Sequence, residues 1–129
     1  MIARPDARLV LIADDDGEVL NALRFALELE GYHVGAFATG GALLEAARGA
    51  HAACLVIDQK LPDTTGLELI MRLRASGVAT PSVLITTILP THLRIRATTL
   101  AVPIVEKPLL TDALFATIRE LTVGPTLGG

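Results

Sequence analysis

The run AACLVI, residues 52–57, decides the fold. It is apolar throughout, with no alternation of polar and apolar positions. A strand with one wet face alternates; a strand covered on both faces does not. The run is also too short for a helix, so Ala53–Ile57 is predicted to be a central strand of a parallel sheet. Similar short runs lie on either side. Leu9–Ala13 and Val34–Phe37 precede it; Val83–Ile85 and Ile104–Val105 follow, each bounded by Gly, Pro, Asp or Thr.

Between these runs the apolar spacing turns helical. Leu20, Leu23 and Leu27 share a face, as do Leu67, Ile70 and Leu73, and then Leu114, Ile118 and Leu121. Helix punctuation agrees with this reading. Thr39, Thr91 and Thr111 are expected as N-caps, and Leu110 and Phe115 sit at the spacing of a hydrophobic staple. Gly31, Gly49 and Gly77 are expected as left-handed helix ends. Repeated strand–helix alternation predicts an α/β fold, a doubly wound parallel sheet with helices on both faces. The 129 residues suit one domain, with its core over about 8–122 and a tail at 123–129.

Bulk properties exclude several classes. Hydrophobic residues make up 51%, enough for a two-sided core and too many for a disordered chain. The core must be aliphatic, because Phe25, Tyr32, Phe37 and Phe115 are the whole aromatic set. A net charge of −3 argues against a nucleic-acid surface. No apolar run is long enough to span a membrane, and MIARPDARL lacks a signal-peptide stretch, so a cytoplasmic location is expected. Cys54, the lone cysteine, has no disulfide partner and falls mid-strand, as a small buried hydrophobe would. His33, His51 and His92 are scattered without metal-ligand spacing.

Ligands of open parallel sheets bind outside the carboxyl ends of the strands. The residues placed there are Asp14 and Asp15 after the first strand, Asp58 after the third, Thr86 and Thr87 after the fourth, and Lys107 after the fifth. Carboxylates from two loops suit a hard cation such as Mg²⁺, which commonly shares a phosphate. An opposing lysine holds a phosphoryl oxygen as a point charge. The chain has only two lysines, Lys60 and Lys107, and both fall in these loops. Asp16, next to the first helix, is read as its N-cap rather than a metal ligand.

LIADDDGEV, LVIDQKLPDTTGLEL, VLITT and IVEKPL, in that order, resemble the receiver domain of two-component response regulators from about Leu9 to Leu121. The resemblance implies a flavodoxin-like (βα)5 fold with strand order 2-1-3-4-5. It implies Asp58 as phosphoacceptor. Mg²⁺ would be held by Asp14, Asp15, Asp58 and the backbone carbonyl of Lys60. Lys107 and Thr86 would bind phosphoryl oxygens, and the Lys107–Pro108 bond would be cis. The implied partners are a histidine kinase or histidine phosphotransfer protein and a downstream protein target, with a phosphorylation-dependent homodimer left open.

The sequence departs from the family pattern at several points. Ile104 replaces the usual aromatic of the last strand, Thr87 replaces a small residue, and RATTLAVPIVEKP lacks the usual Gly-Ala and runs one residue short. A short or irregular fourth helix is expected there. Ile88, two residues after Thr86, is expected to shield the phosphoryl group from water. Three other readings compete. A phosphorylation-independent interaction module would lack a site residue. A haloacid-dehalogenase-like hydrolase needs an Asp where Lys60 stands. A nucleotide- or flavin-binding domain would want phosphate-cradling amides where ADDDG carries negative charge.

Overall fold

The computed structural model describes residues 6–107 and 111–123. Five strands and five helices alternate along the chain: β1 (Asp6–Ala13), α1 (Gly17–Leu29), β2 (His33–Phe37), α2 (Gly40–Gly49), β3 (Ala52–Asp58), α3 (Gly66–Ala75), β4 (Ser82–Thr86), α4 (Thr91–Thr99), β5 (Ile104–Glu106) and α5 (Thr111–Val123). The sheet is parallel, with order β2-β1-β3-β4-β5. Each expected strand is present, lengthened by a residue or a few at its ends.

The pleat sorts each strand between two cores. Leu11, Ala13, Leu55, Ile57 and Leu84 point to the face covered by Leu43 and Leu44 of α2 and by Leu67, Ile70 and Leu73 of α3. Val10, Ile12, Cys54, Val56, Val83 and Ile85 point to the other face, against Leu23 and Leu27 of α1 and Leu114 and Ile118 of α5. Both sides of β3 are thus buried, which is why AACLVI shows no alternation. Cys54 is fully buried, and burial pushes its thiol up to about 12.

Two expected helix ends differ from the sequence reading. Thr91 does not cap α4. The cap position is Pro90, whose carbonyl takes the first amides, Leu93 and Arg94, both at 3.0 Å, with no side-chain cap. Gly49 is the last helical residue of α2, and Ala50 leaves the helix in extended conformation. β3 starts at Ala52, so the chain turns extended directly and has no room for a left-handed step. Pro108, Leu110 and the side chain of Thr111 lie outside the described residues, and with them the cis bond, the staple and the cap expected there.

α4 is short, as expected, at nine residues against ten to thirteen for the other helices, but it is not irregular and ends as α1 and α3 do. In each case an amide two residues beyond the cap reaches back to close the last turn: Tyr32 to Leu27, Val78 to Leu73, and Val102 to Ala97 at 2.8 Å. The residue before that amide is left-handed each time. It is Gly31 (φ 94°) and Gly77 (φ 92°) for the first two, but Ala101 (φ 57°) for α4. The family's missing glycine is therefore a real strain, not a missing turn. Replacing Ala101 by Gly is expected to stabilise the fold by about 1 kcal/mol, since a left-handed Cβ costs roughly that much. A denaturant midpoint that rises, with unchanged slope, is the check.

Candidate functional site

Strand register assembles the site. Ala13 pairs with Ile57, so Asp14 and Asp58 leave the sheet level with each other. Asp58 is level with Ile85, and Thr86 with Glu106, which puts Lys107 one step past the end of β5. Backbone bonds continue the ladder beyond the strands and hold these residues in place. The amide of Asp14 donates to Phe37, that of Gln59 to Ile85 and that of Lys107 to Thr86, at 3.1, 2.9 and 2.6 Å.

The Lys107 ammonium joins the two buried carboxylates. Its Nζ donates to Asp14 Oδ2 at 3.0 Å and to Asp58 Oδ2 at 3.2 Å. Asp14 is fully buried and Asp58 only 4% exposed. Their remaining oxygens take amides: Asp16 N–H donates to Asp14 Oδ1 at 2.9 Å, and Lys60 N–H to Asp58 Oδ1 at 3.3 Å. Asp15 is exposed, and one carboxylate oxygen from each of Asp14, Asp15 and Asp58 lies within 4.8 Å of the others. Asp16 stands apart from this cluster in role. Its side chain caps α1, accepting from Glu18 N–H at 2.9 Å and Val19 N–H at 3.4 Å.

Charge at this rim is unbalanced. Burial pushes the Asp58 carboxyl above its ordinary value, and the neighbouring Asp14 charge adds to it. The attraction of Lys107 and the amide of Lys60 oppose the shift without cancelling it. Burial also works against the Lys107 charge, but its bond to Asp14 and the attraction of Asp58 and Asp14 outweigh it, so its pKa is raised. Three carboxylates face one ammonium, and all the free donor atoms are oxygens. That donor set fits a hard divalent cation.

The rim opens into a cleft of about 470 Å³ lined by Asp15, Asp58, Lys60, Thr86, Ile88 and Lys107, among others. Ile88 is 81% exposed at its mouth. Thr86 is buried, and its hydroxyl donates to the Ile88 carbonyl at 3.1 Å. Asp14, Asp15, Asp58, Lys60, Thr86 and Lys107, singled out from the sequence, therefore converge on one rim.

Over residues 10–119 the sequence matches the model of the response regulator receiver domain. The chain belongs to that family. Receivers act in two-component signalling. This one is 33% identical to the transcriptional regulatory protein FixJ of Bradyrhizobium diazoefficiens, over 86% of this chain and 55% of FixJ. It thus spans about half the length of that relative. A CheY-like receiver from Methanospirillum hungatei superposes with a TM-score of 0.84 at 26% identity, covering 90% of this chain and 94% of the other. The response regulator StyR superposes at 0.82 with 31% identity, covering 94% of this chain and 60% of StyR. Among the described residues, no helix is long and apolar enough to cross a membrane.

Three features of the receiver were not read from its sequence. Gln59 Oε1 accepts the Leu67 amide at 3.0 Å and so caps α3 from the site loop. Arg94 donates to the Leu89 carbonyl at 3.2 Å and pairs with Glu106, tying α4 to the end of β5, one residue before Lys107. Asp63 bonds the start of α2. Their partners lie from 5 to 23 positions away, beyond the reach of a single turn or cap. The only local hint was the tandem glycine, Gly40-Gly41, where Asp63 docks.

Proposed function

We propose that this receiver takes a phosphoryl group onto Asp58 from a phosphohistidine of a histidine kinase or histidine phosphotransfer protein. The observation that carries the reading is the Lys107 ammonium bridging Asp14 and Asp58, with Asp15 at the open side of the same cluster. Asp14, Asp15, Asp58 and the Lys60 carbonyl would hold Mg²⁺, which when bound supplies positive charge to the phosphoryl oxygens.

The protein's own groups do the rest. An ionised Asp58 oxygen attacks phosphorus, the P–N bond breaks, and its electron pair returns to the donor imidazole. Asp58 needs no proton removed, because it is a carboxylate nucleophile. Lys107 exchanges its bond to Asp58 for one to a phosphoryl oxygen and so meets the charge as it moves. Thr86 would turn its hydroxyl from the Ile88 carbonyl to another phosphoryl oxygen. That turn frees the β4–α4 loop, and Arg94, bonded to Leu89 and Glu106, links the loop to β5 where Ile104 supplies no aromatic. The changed surface then engages a protein target. A module independent of phosphorylation would have no use for a complete acidic cluster with its lysine.

Incubating the chain with acetyl phosphate and Mg²⁺ tests the reading. One phosphoryl group is expected, mapped to Asp58 after borohydride reduction and absent when EDTA is present. Label on another residue, or no label at all, overturns it.

A further inference from the structure

We propose that Asp63 is a positioning residue for the Mg²⁺ site, clamping the loop that carries Lys60 onto the start of α2. This rests on the Mg²⁺ reading above. The loop, residues 59–65, is closed at its base. Lys60 bridges Thr65, the Gly66 amide donates to the Gln59 carbonyl at 2.9 Å, and the Leu61 amide to the Thr64 carbonyl at 3.3 Å. At its tip Asp63 turns outward. Oδ1 accepts the Gly40 amide and Oδ2 the Gly41 amide, both at 2.9 Å, from a segment 22 and 23 residues away.

That fork is more than a helix cap. α2 already has its own, Thr39, whose hydroxyl oxygen accepts the Ala42 amide at 3.1 Å. The first turn of α2 is also cleared for the loop. A Cβ on Gly40 would stand 2.5 Å from Thr64 Cγ2, and one on Gly41 would stand 3.3 Å from Asp63 Oδ2. The two amide bonds hold the Asp63 carboxyl below the usual carboxylate range, so the clamp is charged at neutral pH. A carboxylate there also meets the positive end of the α2 dipole.

The consequence for the metal follows from geometry. Mg²⁺ demands near-octahedral ligands and tolerates little play. Lys60 would give a backbone carbonyl, which only the loop can orient. The base of the loop is fixed to β3 and α3, Thr64 donates to Glu68 of α3 at 3.4 Å, and among the bonds described Asp63 alone ties the tip to α2. The clamp further ties the loop to the segment after Phe37, whose carbonyl takes the Asp14 amide. Ligands on separate loops are thereby held in one frame.

Calorimetric titration of the full chain with MgCl₂ tests this, using Asp63→Ala, Asp63→Asn and Thr39→Ala beside the parent. Thr39→Ala removes an α2 cap and leaves the clamp, so it controls for stability. Asp63→Ala is expected to weaken Mg²⁺ binding about tenfold, as supporting partners of metal ligands commonly do, with Thr39→Ala within about twofold of the parent. Asp63→Asn, which keeps one accepting oxygen, should fall between. Melting temperatures are expected to drop for both alanine variants, which keeps folding and affinity apart. Parent-like affinity in Asp63→Ala, or equal weakening in Thr39→Ala, overturns the proposal. A parent that binds no Mg²⁺ instead overturns the metal reading, and the clamp's role with it.

Discussion

Asp58→Asn is expected to take up no phosphoryl group from acetyl phosphate, and to melt above the parent chain in metal-free buffer at neutral pH. Both results come from one carboxylate. The nucleophile is lost because an amide oxygen is a poor nucleophile and forms no stable acyl phosphate. Stability moves the other way because the metal-free site disfavours the Asp58 charge: burial and Asp14 outweigh Lys107 and the Lys60 amide. The sign follows. With its pKa raised above 3.8 in the folded chain, Asp58 keeps a proton that the unfolded chain has already shed. Stability contributed by that proton is lost as pH rises from the ordinary carboxylate value through the folded one. Asparagine has no such step, still accepts from Lys107 and Lys60, and should flatten that part of the stability–pH curve. Thermal melts in EDTA from pH 4 to 8 check the stability arm, and intact mass the chemical one. A variant that melts below the parent throughout would mean that the Lys107 pair outweighs burial.

The contrast between Asp58 and its neighbours shows what the sequence could carry. Strands were legible because burial on both faces leaves no alternation, and the two cores of the fold use alternate residues of the same apolar runs. The rim was legible for the same reason: four of the five runs stop where a polar residue must leave the sheet. Asp16 was legible because its cap bonds reach only two and three residues ahead. Thr91 was misread because α4 starts where the loop from the site delivers Pro90, and that loop is set by tertiary contacts. Gly49 was misread because β3 resumes two residues after Ala50. Asp63 carries no local signal, since its partners are 22 and 23 positions away. The fold follows from local periodicity, whereas the supports of the site depend on which loops meet.

Those supports also explain how carboxylates can crowd at this rim. Gly66 packs so closely that a Cβ would lie 2.7 Å from the Asp58 carbonyl oxygen and 2.6 Å from Leu84 Cδ1. The start of α3 is thus pressed against the backbone of Asp58 itself. With Gln59 capping the same helix and Asp63 holding α2, the loop after Asp58 is fixed on two sides. Like charges are held together by packing and by one lysine, an arrangement that positive charge entering the rim would relieve. This is preorganisation of the kind that lets a site stabilise moving charge without rearranging.

Lys107→Met should make that dependence visible, with two losses expected. Phosphoryl transfer from acetyl phosphate at saturating Mg²⁺ should slow by about 10²–10³-fold, the usual effect of removing one donor to a developing anionic charge. The metal-free fold should lose about 3 kcal/mol, the low end for a buried pair stripped of one partner. The low end is apt because Asp14 keeps the Asp16 amide, Asp58 keeps the Lys60 amide, and the Lys107 side chain is 21% exposed. The pH dependence separates this from lost packing. Lys107 has a raised pKa, so its contribution is complete below the unfolded value of 10.5 and fades as pH climbs through the folded one. The parent should therefore lose its advantage over Lys107→Met only in strong alkali. Mg²⁺ should narrow the gap at neutral pH, because a divalent cation beside Asp14 and Asp58 replaces much of the missing charge. If the variant were as stable as the parent in EDTA, or if Mg²⁺ stabilised both chains equally, Lys107 would not be the counter-charge that holds the metal-free site together.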